Sequence, residues 1–260
     1  MAEQILVEKR ADGVVWVTID RPDVHNALNG AVLEGLKAAA QRLGADDAVR
    51  AVVFTGAGPK TFCAGADLKE RQGMSEAETV ARIDLIGSVF SSIARLPKPT
   101  IAALNGSAYG GGLELAIACD FRVAVSGCEL GLTEVRLGIL PGAGGTQRLP
   151  RLIGVARAKQ MILLGERISA ETALAFGLVS AVVAPSELAA AVRALTDKLA
   201  GCAPLGVALA KRAIDDGMDV DLARGLGVER ACYDLTRKTE DRNEGLRAFA
   251  EKRPPRYQGK

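Results

Sequence analysis

Two short apolar runs, AVVFTG at Ala51 to Gly56 and TIAALNG at Thr100 to Gly106, limit the architecture more than any other feature of the chain. Each is followed by a glycine-containing turn and later by a helical stretch. Strands buried on both faces read as continuous apolar runs, and strands joined through helices pair in parallel. The pattern therefore predicts an α/β fold with crossover connections. Upstream, ILVEKR (Ile5 to Arg10) and GVVWVTID (Gly13 to Asp20) are rich in β-branched residues and separated by ADG, a hairpin signal. Helical periodicity follows from Ala31 to Leu43. From about Leu188 the strand signals stop. LAAAVRALTDKLAG, LGVALAKRAIDDGM, DVDLARGLGVERACYDLTRK and EDRNEGLRAFAEK read as four helices, the last closed by Pro254 and Pro255. The expected division is a core over residues 1–195 and a C-terminal helical region over 196–260.

A chain of 260 residues can bury roughly 70–75% of its extended surface, so no covalent staple is needed. The five cysteines fall at irregular intervals without a C-x-x-C pair and read as reduced structural thiols. The N-terminus has no apolar signal-like stretch. The longest apolar run, Ala173 to Ala184, is too short to span a bilayer, which predicts a soluble, cytoplasmic protein. Thirty-three basic against 31 acidic residues leave a formal charge of +2, with no block of like charges, so nucleic acid is not an expected partner. His25 is the only histidine and has no cysteine or carboxylate cluster beside it; it reads as a loop residue, and no metal site is expected. Acid–base chemistry near neutral pH then falls to carboxylates.

Two glycine-rich stretches lack the spacing of familiar phosphate loops. TGAGPKT (Thr55 to Thr61) is not G-x-x-x-x-G-K-[ST], and PGAGGTQ (Pro141 to Gln147) is not G-x-G-x-x-G. Three others can carry chemistry. In FCAGADLKE (Phe62 to Glu70), Gly65 and Ala66 precede an Asp-capped helical segment, where backbone N–H groups stand free to hold an anion; an ordinary tight turn reads the same way. In GGGLELAIACD (Gly110 to Asp120), Gly111 opens a helix and Glu114 lies three residues on, on the same face, inside an apolar run. An acid placed there is either tied to a backbone group at a packing contact or has a chemical task. In LTEVRLGILPGAGGTQRLPR (Leu132 to Arg151), Glu134 precedes an apolar turn and a glycine-rich loop; taken by itself it reads better as a solvated glutamate at a helix start.

The order and spacing of these three motifs, with RPDVHNALN before them and DRNEGLRAFAEKRPP after, resemble the enoyl-CoA hydratase/isomerase (crotonase) superfamily over nearly the whole chain. GGTQRLPR and the long tail are most similar to its methylglutaconyl-CoA hydratase branch. The resemblance implies a right-handed spiral of ββα units followed by a C-terminal helical trimerisation region, in trimers that often pair into hexamers. It implies no cofactor, the acyl-CoA thioester being the substrate.

Carried over residue by residue, the resemblance places an oxyanion hole on the backbone N–H groups of Ala66 and Gly111 and two catalytic carboxylates on Glu114 and Glu134. It assigns Glu114 mainly to water and Glu134 mainly to Cα. Gly142 matches the glycine beside the water and product hydroxyl. Ala64, Ala66, Asp67, Leu68 and Lys69, with Asn26 and Ala27, match the CoA path, and Phe249 and Lys252 match tail positions that reach CoA across a subunit interface. Isomerases of the superfamily usually need only the acid at the Glu134 position, so retention of both glutamates favours hydration. One animal member of the branch is also described as an RNA binder through a lysine-rich helix. The matching stretch here, Leu36 to Arg50, has one lysine, two arginines and two acids from its aspartates, which offers few phosphate contacts. A methylglutaconyl thioester ends in a free carboxylate, for which Arg71 and Arg82 are candidate partners on the stretch after the oxyanion loop.

Overall fold

The structure is a computed structural model describing residues 4–10 and 12–260. It opens with the expected hairpin: β1 (Ile5–Lys9) pairs antiparallel with β2 (Val14–Ile19), Ile5 opposite Ile19. Ala11 of the connection and the first three residues of the N-terminal stretch lie outside the described residues. After a 3-10 turn at Pro22–Val24, α1 (Gly30–Ala45) starts where the Asn29 side chain accepts the Val32 N–H. It buries Val32, Leu33, Leu36, Ala39, Ala40 and Leu43, a stripe at helical spacing.

Three successive turns of chain then repeat one plan. In the first, β3 (Ala51–Gly56) and β4 (Thr61–Cys63) lead to α2 (Leu68–Arg71) and α3 (Glu76–Ala94), the latter opened by a Ser75–Glu78 capping box. In the second, β5 (Thr100–Leu104) and β6 (Ser107–Tyr109) lead to α4 (Gly111–Ala118). In the third, β7 (Phe121–Val125) and β8 (Glu129–Gly131) lead through a 3-10 turn at Glu134–Leu137 to α5 (Gly145–Ile153) and α6 (Val155–Leu163). β9 (Arg167–Ser169), α7 (Ala170–Phe176) and β10 (Ala181–Val183) complete the core.

The first strand of each turn joins a six-stranded sheet of order β1-β2-β3-β5-β7-β10; the second joins a four-stranded sheet of order β4-β6-β8-β9. Within each sheet the strands of successive turns run parallel. This is the expected spiral of ββα units. Its core runs through β3 and β5, buried along their whole lengths, with Phe54, Phe62 and Phe90 enclosed between the layers.

Four helices follow: α8 (Leu188–Ala200), α9 (Pro204–Met218), α10 (Leu222–Thr236) and α11 (Glu240–Ala250). α8 packs on β5 and β7, while α9 and α10 pack chiefly on each other. Lys211 anchors α9 by donating to Asp120 at 2.8 Å, a carboxylate that also accepts the Thr100 N–H and hydroxyl. Beyond α11 the tail folds back, with Asp241 accepting the N–H groups of Gln258 and Gly259. Cys63, Cys119, Cys128 and Cys232 are buried, Cys202 is exposed, and all five are free thiols. Among the described residues no helix is long and apolar enough to cross a membrane.

Candidate active site

The Ala64–Asp67 loop is held from behind by the backbone. Ala64 N–H donates to His25 O at 3.0 Å, Leu28 N–H to Gly65 O at 2.8 Å, and Asp67 N–H to Leu28 O at 3.0 Å. These bonds turn the Ala66 N–H the opposite way, where it meets no acceptor among the described residues. Gly65 sits at φ +91°, and a Cβ there would press on Tyr109 O at 2.8 Å, so only glycine fits. Gly111 is the first residue of α4, and its N–H is likewise free because the helix has no preceding turn to accept it. A Cβ built on Gly111 would lie 3.8 Å from Ala66 N, so the two amides are neighbours. Together they offer two donors, reinforced by a helix N-terminus, to one oxygen.

Glu114 follows one turn later and is only 3% exposed. Its Oε1 accepts the N–H groups of Ala143 and Gly145, both at 2.8 Å. Burial pushes its pKa up; the two N–H bonds and the charge of Arg148 pull against that rise. Glu134 opens the 3-10 turn after β8, and its Oε2 is buried without a hydrogen-bond partner. Burial, with the charge of Glu114 added, raises its pKa to about 7 against a lowering backbone hydrogen bond. Gly110, at φ +52°, lies beside this carboxylate, the position of a Cβ there standing 3.4 Å from Glu134 Oε1, ordinary contact distance. Two carboxylates close enough to repel resist ionising together. One is fixed by two N–H bonds, and the other holds a proton near neutrality.

Both face a cavity of about 570 Å³, predominantly apolar in its lining. Of the residues singled out from sequence, Ala64, Ala66, Leu68, Gly111, Glu114, Glu134 and Gly142 line it. Asp67 lies in a small adjoining pocket, caps α2 and accepts from Arg21 at 3.0 Å. Lys69 is exposed outside the cavity. Asn26 and Ala27 do not line the cavity either. The Asn26 amide is wholly buried, donating to the carbonyls of Ala57 and Thr61, while Ala27 O accepts from Arg21. Asn26 thus ties its segment to the Ala57–Thr61 turn, and Ala27 shares Arg21 with Asp67 of the Ala64–Asp67 loop. Phe249, 86% exposed on α11, and Lys252, just past that helix, do not reach the cavity within one chain.

Arg71 lines the cavity with no ion-pair partner among the described residues, whereas Arg82 is committed to Glu70. Sequence reasoning missed Tyr109, Arg167 and the apolar stretch Leu137, Ile139 and Leu140, all lining residues. The signal for the last three was present: a run of large apolar side chains in a glycine-flanked loop. Arg167 carried no signal, because it reaches the site only through the pairing of β9 with β8. A second cavity, in the tail, is lined by Asp241, Glu244, Arg247 and Arg253, charges already bonded to neighbours within the tail. No metal-binding cluster of His, Cys, Asp or Glu occurs among the described residues.

The model of the family described as enoyl-CoA hydratase/isomerase matches residues 9–260. The chain belongs to that family. The crotonase-like fold has a counterpart in the crystal structure of an enoyl-CoA hydratase from Bacillus anthracis, with a TM-score of 0.97, 47% identity, and coverage of 99% of this chain and 100% of that one. The mitochondrial methylglutaconyl-CoA hydratase of Mus musculus is 46% identical over 257 residues, 97% of this chain and 82% of the relative. The human mitochondrial enoyl-CoA hydratase domain-containing protein 2 is 46% identical over 252 residues, covering 95% and 86%.

Proposed function

We propose that this family member hydrates a short or branched 2-enoyl-CoA, and that the observation carrying this reading is the unequal carboxylate pair beside two free N–H donors. The thioester oxygen sits between the N–H groups of Ala66 and Gly111. Water held by the ionised Glu114 carboxylate attacks Cβ and gives its proton to that carboxylate. The π electrons move toward the thioester oxygen as an enolate, which the two donors stabilise. Each such donor is worth about 100- to 1,000-fold in rate. Glu134, protonated near neutrality, delivers its proton to Cα as the enolate collapses, and proton exchange with solvent resets the pair. The carboxylates and backbone supply the chemistry without a cofactor beyond the thioester itself.

The favoured substrate is 3-methylglutaconyl-CoA, read as hydration or its reverse. The similarity to the mouse hydratase supports it, as does Arg71, without an ion-pair partner among the described residues, on the wall of a predominantly apolar cavity. A guanidinium there suits a distal carboxylate and does nothing for a crotonyl chain. The same reading takes the exposed Phe249 and tail as surfaces covered in a trimer or a dimer of trimers, where Lys252 and Phe249 approach a neighbour's CoA.

The test is kcat/KM for methylglutaconyl-CoA and crotonyl-CoA, with the 3-hydroxyacyl product identified and sedimentation of the same preparation recorded. The expected result is a preference for the dicarboxylic thioester that falls by roughly 10-fold or more in Arg71→Ala, from an oligomer of three or six chains. A preference for crotonyl-CoA unchanged in Arg71→Ala contradicts the substrate, and a shifted double bond without hydration contradicts the reaction.

A further inference from the structure

The loop that binds Glu114 is itself held by a charged residue that no step above uses. Arg148, half-buried on α5, donates from its guanidinium to Ala143 O at 2.8 Å, and its backbone N–H donates to Gly144 O at 2.7 Å. Ala143 is thereby gripped at both ends, its carbonyl by Arg148 and its N–H by Glu114 Oε1. Gly144 completes the arrangement. It sits at φ +109°, and a Cβ there would overlap the guanidinium, so the glycine is the space into which Arg148 folds. Gly145, the other donor to Glu114, is just as confined, since a Cβ would come within 3.0 Å of Glu114 Oε1.

The charged surroundings of Glu114 are sparse. Glu134 faces it from the 3-10 turn and Arg148 from α5, while Arg95, at the end of α3, acts on Arg148. Cys63 of β4 packs against Gly112 with its thiol pushed up to about 12, so it stays neutral. Tyr109 of β6 stays neutral as well, its phenol raised by burial. The remaining charges of α3 lie elsewhere: Arg82 pairs with Glu70, Glu78 is held by the Ser75 cap, and Glu76 and Asp84 are exposed. β5 carries no ionisable side chain. Arg71 and Arg167 stand on the cavity wall, but Arg148 is the cation that acts on Glu114.

We infer that Arg148 is a positioning residue for hydration: it fixes the Ala143–Gly145 loop against Glu114 and keeps that carboxylate in the ionised, water-holding form. A buried carboxylate loses ionisation when a nearby cation or an aligned N–H donor is removed. Arg148 supplies the first and secures the second. Its guanidinium holds the loop that binds Glu114, whereas Glu134 stands apart on the 3-10 turn after β8. Loss of Arg148 should therefore move the limb that belongs to Glu114 further than the limb that belongs to Glu134.

The experiment compares wild type with Arg148→Gln, Arg148→Met and Arg148→Lys by carbon-13 titration of the Glu114 carboxyl, its resonance assigned through Glu114→Gln. It adds the pH profile of kcat and the KM for the thioester. In either neutral variant the Glu114 titration and the acidic limb of kcat should both move to higher pH. kcat should fall by roughly 10- to 100-fold at fixed pH with little change in KM, and Arg148→Lys should recover part of both. The alkaline limb, belonging to Glu134, should move less, following Glu114 only through the repulsion between the two carboxylates. A folded neutral variant with wild-type Glu114 titration overturns the inference, as does one whose alkaline limb moves as far as its acidic limb. The inference rests on the hydratase reading, and the two fail separately: a wild type inactive on every enoyl-CoA sinks that reading, while the carboxyl titration still tests Arg148.

Discussion

Glu134 carries a cost that is visible without any substrate. Its carboxyl is half-buried, one oxygen has no partner, and burial raises its pKa from the ordinary 4.5 to about 7. The folded protein therefore binds this proton more tightly than the unfolded chain does. A carboxyl raised on folding favours the fold fully below its unfolded value, and that contribution is lost as pH climbs through the folded value. Stability owed to Glu134 should thus fall between about pH 4.5 and about pH 7. Glu134→Gln removes the titration while keeping the shape. Urea unfolding at about pH 5 and about pH 8 should show a smaller loss of stability on raising pH in Glu134→Gln than in wild type. Equal pH dependence in the two proteins would mean that Glu134 titrates as an ordinary surface acid. Glycines and an apolar run marked Glu114 in the sequence, whereas Glu134, by itself better read as a solvated glutamate, was nominated only through the family resemblance. The sequence could not separate Arg71 from Arg82, since the two differ only in whether Glu70 comes within reach.

α4 is the element on which the site turns, because it presents both the Gly111 donor and Glu114. Its far end is closed by Arg122, a buried guanidinium that donates to Cys119 O at 2.6 Å and to Leu178 O at 2.7 Å. Its near end lies against β4 so closely that a Cβ on Gly112 would collide with the Cys63 carbonyl. That contact constrains the separation between the Ala66 and Gly111 amides, since Ala66 lies three residues past Cys63, the last residue of β4. Gly112→Ala must move one backbone past the other, at about 1–3 kcal/mol by the usual cost of overpacking, with a loss of kcat as the donors part. Gly87, inside α3 with nothing within 4 Å of its Cβ position, is the contrast: Gly87→Ala should gain up to about 1 kcal/mol from helix propensity. Denaturation midpoints for the two variants decide the point, and wild-type stability in Gly112→Ala would contradict the packing argument. Much of this level was legible from sequence. β3 matches the apolar run Ala51 to Gly56, and the four tail helices fall where periodicity put them. The four-stranded sheet was not legible, because β4, β6, β8 and β9 are three residues each, too short to express a period of two.

At the scale of the molecule, the spiral brings together groups distant along the chain. Ala66 comes from the first ββα turn, Gly111 and Glu114 from the second, and Glu134 with the Ala143–Gly145 loop from the third. Each turn supplies one part: a donor, a donor with a carboxylate, then the second carboxylate with the clamp on the first. Residues 111 and 134 share no helix face, so periodicity alone could not join them, and the resemblance of ordered motifs supplied that link. Groups that act as a unit should also fail as a unit, which makes non-additivity the signature of the arrangement. The most direct measurement is kcat for hydration in Glu114→Gln, Glu134→Gln and the double variant, with CoA affinity recorded alongside. Each single variant should lose about 100-fold or more at unchanged affinity, and the double variant should be far less impaired than the product of the two losses. Turnover close to wild type in either single variant would contradict a hydration site built on this pair.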